Sequence, residues 1–139
     1  MANLINIYNP STKSIDNIFN VIPSIGDIAL TSGIKYNTYT NTAANHVYTG
    51  VANKKWFLNK ISVVLRTTAL AADRALTVSD GATVIYQDSF SSTFAVGSEI
   101  KIDFRIPIAI TMGATLTIHL DAHGTAGGQF LFNTVAFQR

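Results

Sequence analysis

The chain has 139 residues, the size of one domain, with no cysteine, a formal net charge of +2, and only 13% charged residues against 47% hydrophobic ones. The missing cysteine excludes disulfides, zinc–thiolate centres and cysteine nucleophiles. Apolar content this high excludes a disordered chain. The near-balanced charge, with no basic cluster longer than Lys54-Lys55, argues against a nucleic-acid surface. No run approaches the roughly 18 apolar residues of a membrane span, so no membrane partner is expected. Met1-Ala2-Asn3-Leu4 lacks the basic and apolar regions of an export signal, so synthesis in a cytoplasm is expected.

Residues 1–33 read as an N-terminal arm. Leu4, Ile5, Ile7 and Tyr8 lie in a strand-like alternation. Ile15, Ile18, Phe19 and Ile22 follow helical spacing, with Ser14 as a candidate cap and Pro23 as the stop. Pieces this short cannot form a core of their own, so the arm is expected to pack on the body of the protein or on a neighbour.

From residue 34 the period is two. Strands are predicted over 34–40, 46–51, 56–66, 75–79, 83–88, 99–106, 115–121 and 130–138. In the third, Phe57, Asn59, Ile61, Val63 and Leu65 share one face. Asp80-Gly81 marks a hairpin between the fourth and fifth. In the sixth, Ile100, Ile102, Phe104 and Ile106 are expected inside, with Glu99, Lys101, Asp103 and Arg105 outside. Pro107 should end that strand or move it to another sheet. In the seventh, Leu116, Ile118 and Leu120 point in. Eight short strands with turn-rich connections predict an all-β, antiparallel, jelly-roll-like sandwich over residues 34–139, carrying the arm at its N-terminus.

Candidate chemistry is sparse. His119, Asp121 and His123 stand at i, i+2, i+4, which on a strand puts three metal-ligating groups on one face. The plainer reading is that His119 and Asp121 continue the outward row begun by Thr115 and Thr117, while His123 abuts the glycine-rich loop 124–128. A cupin-like metal enzyme would need a His-x-His pair and a further Glu, and Glu99 is the only Glu. No Gly-x-Ser-x-Gly nucleophile turn occurs, and the loop 124–128 lacks the Gly-Lys-[Ser/Thr] ending of a phosphate loop. The expectation is a protein that is not an enzyme and takes no cofactor. Tyr36, Tyr39, Tyr48, Trp56 and Tyr86 include more aromatics than alternation can bury. They are candidates for a subunit interface or for stacking on a glycan, with core or arm packing as the plainer alternative.

Thr, Asn and Ser supply 37 residues, so the polar surface is largely uncharged. Depletion of charge with apolar and aromatic content retained is the composition of interface cores. The depletion is greatest in the N-terminal third, which is therefore the expected assembly surface. Three stretches, Val78 to Gln87, Phe104 to Leu120 and Phe130 to Arg139, resemble small jelly-roll virion proteins of tailed bacteriophages, among them capsid decoration (cement) proteins and fibre domains. The resemblance implies a non-enzymatic structural protein of the virion, often a homotrimer, whose arm engages other virion proteins such as the major capsid protein. A glycan- or receptor-binding fibre module is the alternative, and a cupin-like metal enzyme a more distant one.

Overall fold

The computed structural model describes residues 31–139. The arm expected over residues 1–33, with its assembly candidates Leu4, Ile5, Ile7, Tyr8, Ile15, Ile18, Phe19 and Ile22, lies outside the described residues apart from its last three positions. Those positions already belong to a strand.

Eight strands are present: β1 (Thr31–Thr40), β2 (Ala44–Tyr48), β3 (Trp56–Arg66), β4 (Arg74–Asp80), β5 (Thr83–Phe90), β6 (Glu99–Ala109), β7 (Leu116–Leu120) and β8 (Gln129–Gln138). They form two four-stranded sheets, ordered β1-β8-β3-β6 and β2-β7-β4-β5. All the described pairings are antiparallel. Among connections between successive strands, only β4–β5 stays within one sheet; every other one crosses to the opposite sheet. This is the jelly-roll arrangement of an antiparallel sandwich. The β4–β5 hairpin turns at Gly81, whose φ of +61° suits a tight hairpin turn. The sandwich body, Ser32–Gln138, is one compact unit.

Alternation explains which side chains fill the space between the sheets. Phe130, Phe132, Thr134, Ala136 and Gln138 of β8 point inward, as do Leu116, Ile118 and Leu120 of β7 and Leu76 and Val78 of β4. They meet Leu58, Ile61, Val63 and Leu65 of β3.

Two strands depart from simple alternation. In β3 the register slips between Leu58 and Lys60 against both neighbours, so Asn59 is an extra residue. The bulge reverses the phase: Leu58 and Ile61 both face in, whereas Phe57, expected on the face of Ile61, lies on the outer face stacked on Phe137 (5.2 Å between centroids). In β6 the pairing partner jumps from Asp103 to Ile108 while β3 moves only from Lys60 to Leu58. The strand does not end or change sheet at Pro107. It bulges there and continues beside β3 to Ala109. Ile106, expected inside, is carried out into solvent at 86% exposure, and Ile108 packs against the core in its place.

Candidate functional site

The flank where β1 and β2 form the two sheet edges holds a concavity of about 360 Å³, lined by Ile34, Lys35, Tyr36, Asn37, Tyr39, Asn45 and His46. That volume lies in the range of small-molecule sites. Both faces of β1 contribute, because among the described residues this edge strand has no neighbour on this side. Tyr36 stands 63% exposed at the rim, whereas Tyr39 leans against the core, tilted on Phe132 and His46.

Of the lining residues, His46 belongs to a buried cluster of polar groups that only the fold brings together. His46 of β2 is 3% exposed, and its ring stacks on Phe132 at 4.1 Å and 16°. Its Nδ1 lies 2.8 Å from Thr134 Oγ1. The Tyr48 hydroxyl lies 2.8 Å from the same Thr134 oxygen and 3.1 Å from the carbonyls of Gly33 and Thr134, to which it can donate. Lys35 Nζ sits 5.2 Å from the centre of the Tyr48 ring. Burial, and then the nearby Lys35 charge, lower the His46 pKa to about 4, so the imidazole is neutral at pH 7. Burial raises the Tyr48 pKa, keeping the phenol protonated.

A hydroxyl 2.8 Å from a neutral imidazole has the spacing of a base-activated nucleophile. Thr134 is fully buried, however, with Tyr48 closing its other side. The cluster therefore ties β1, β2 and β8 together across the two sheets. Sequence reading passed over His46 because a histidine within a predicted strand carries no local signal of its partners, which lie 88 residues away.

The sequence candidates separate. Tyr48 and Trp56 are 3% and 7% exposed and tilt against each other at 5.0 Å, with Trp56 Nε1 donating to the Thr49 carbonyl. They are core residues, unavailable to a glycan or a partner. Tyr86 is half-buried, edge-on to Phe104. Of the five aromatics, Tyr36 alone is fully presented.

The metal candidates do not converge. His119 and Asp121 lie on the outer face of their sheet, where His119 Nδ1 is 2.9 Å from Asn45 Oδ1 and its Nε2 3.3 Å from Asp121 Oδ1. Asp121 also accepts from the Ala75 amide. His123 lies past the end of β7, fully buried beside Phe130, and its Nε2 donates to the Thr68 carbonyl. The strand ends at Leu120, so the i, i+2, i+4 geometry stops before His123. Among the described residues, no three His, Cys, Asp or Glu side chains gather as a metal site would require.

Comparison with family models finds no match, and comparison with curated proteins finds none either. Among solved structures, the chain is similar to the insecticidal delta-endotoxin Cry8Ea1 of Bacillus thuringiensis, at 13% identity and a TM-score of 0.44. The likeness covers 73% of this chain and 19% of the toxin.

Proposed function

We propose that the protein is a non-enzymatic, self-associating structural component of a larger particle, of the virion decoration type that the sequence resembles, attached through its N-terminal third. One observation carries this reading. On the edge strands β1 and β2, in the least charged part of the sequence, Ile34, Tyr36 and Val47 stand open to solvent, Ile34 at 68%. A well-packed sandwich that leaves large apolar groups in solvent on its edge strands offers a surface for another protein.

The test is addition of the purified chain to expanded phage capsids, followed by heating. The reading expects saturable binding and a higher temperature of capsid disruption. A chain beginning at residue 31 should fold but bind much more weakly. Capsids that take up no protein overturn the decoration role.

A second reading rests on the concavity beneath Tyr36. An exposed phenol ring beside Asn37 and Asn45 offers a stacking platform with amide hydrogen-bonding groups, the chemistry that holds a neutral sugar. A glycan array tests it: a hit lost in Tyr36→Ala supports the reading, and an array without hits removes it.

A further inference from the structure

The opposite flank carries a different kind of surface. β6 ends one sheet and β5 ends the other, and the two edges meet where Tyr86 packs edge-on against Phe104 at 5.6 Å. Along β6 the exposed residues alternate in sign: Glu99, Lys101, Asp103, Arg105. Ser62 Oγ donates to Glu99 Oε2 at 2.5 Å, holding that carboxylate on the outer face. Ile100, Ile102 and Phe104 point between the sheets but stay only half-covered, because among the described residues no strand lies beyond β6 in the sheet. Val84, Ile85 and Ile106 stand exposed on the same two strands.

We infer that β6 pairs edge to edge with β6 of a second copy, antiparallel about a two-fold axis at Ile102. This deepens the self-association proposed above and rests on it. In that register Glu99 faces Arg105 of the second copy and Lys101 faces its Asp103, and the symmetry repeats both pairs. All four directly opposed outward pairs are of opposite sign. Sliding the strands by two residues in either direction sets Lys101 against Lys101 or Asp103 against Asp103, and a parallel, in-register pairing sets every charge against itself. Sliding by one residue sets charges against apolar side chains.

A slide of four residues keeps opposite signs but leaves only two of the four pairs, so the pattern favours this register and direction, and the same sequence is its own complement, as a two-fold contact requires. The pairing satisfies the open backbone edge of β6, covers Ile100, Ile102 and Phe104, and joins two four-stranded sheets into one. Within the chain only Asp103 lies across from a charge, Lys60 of β3; Glu99 and Lys101 stand across from Val64 and Ser62. The contact is two-fold, which differs from the three-fold assembly implied by the sequence resemblance.

The experiment is sedimentation of the full chain over a concentration series. The wild type should form dimers whose dissociation constant rises with salt between about 0.05 M and about 0.5 M. Asp103→Lys sets lysines opposite lysines at two symmetry-related places and should raise that constant roughly tenfold or more. The exchange Lys101→Asp with Asp103→Lys restores opposite signs in all four pairs and should recover the dimer. A wild type that stays monomeric, an assembly indifferent to Asp103→Lys, or an exchange that fails to recover it overturns the inference. Those outcomes leave the decoration role to the capsid-binding test, which the charge variants do not touch.

Discussion

His46 Nδ1 and Thr134 Oγ1 lie 2.8 Å apart across the sandwich, one on an edge strand and the other on an inner strand of the opposite sheet. The contact joins the two sheets through polar groups at a point where the surrounding core is aromatic. Its energetics follow from burial: each group has given up water and depends on the other, with Tyr48 as the third member.

Acid should weaken the fold through His46. Its pKa is about 4 in the folded chain against 6.5 for an ordinary histidine, so between those values the unfolded chain binds the proton and the folded chain does not. Stability therefore rises with pH through this window. The contribution is fully present above about 6.5, is lost as pH falls toward about 4, and amounts to about 3 kcal/mol as an upper figure. Urea unfolding at pH 7 and pH 4.5 measures it. The wild type should lose stability between the two, and His46→Gln, already weaker at pH 7, should lose distinctly less. Equal pH slopes would remove His46 as the cause.

Thr134→Val keeps the shape of the side chain and deletes the hydroxyl that His46 and Tyr48 share. It should destabilise by about 1–3 kcal/mol, because buried polar atoms are left without their partner. Combined with Tyr48→Phe, the loss should be less than the sum of the single losses, since the two changes break the same contact. Denaturant titration of the two single variants and the double variant tests the coupling.

Gly128 is irreplaceable for a steric reason. A Cβ there would come within 2.1 Å of His123 Nδ1, and the ring is fully buried with its other nitrogen bonded to Thr68. Gly128→Ala should lower stability by about 1–3 kcal/mol through overpacking. Thermal unfolding checks it. An unchanged midpoint would mean that the ring has room to move.

Ile106→Lys should do the reverse of a core substitution. The side chain is almost wholly exposed, so stability should stay within about 0.5 kcal/mol of wild type. Self-association should be unchanged, because in the paired register Ile106 falls opposite Ser98, beyond the end of β6 and outside the four charge pairs. Thermal unfolding and sedimentation check the two expectations.

Much of the architecture is legible in the residues because alternation is local. Leu116, Ile118 and Leu120, or Phe130 and Phe132, announce a half-buried strand within five residues, and Asp80-Gly81 announces the one hairpin. The aromatics were less legible. Tyr48 and Trp56 look like surface candidates in sequence but are core residues, because Thr134 of the opposite sheet and Thr49 of the β2–β3 connection supply the groups that accept their polar ends. His119, Asp121 and His123 look like a set, but only the first two meet, because the strand stops at Leu120 and His123 turns into the core.

The sequence by itself determined the all-β class, the eight strands, the inward rows of β7 and β8 and the alternating charges of β6, since each follows from the period-two geometry of an extended chain. Tertiary structure alone decided the rest. Asn59 and the 104–107 segment absorb extra residues where β3 and β6 must stay paired while curving around one core, which moves Phe57 and Ile106 to the outside. The crossing of successive strands between sheets places His46 against Thr134 and leaves β1 and β2 on one flank, β5 and β6 on the other. Periodicity records which way a side chain points; only the closed sandwich records what stands in front of it.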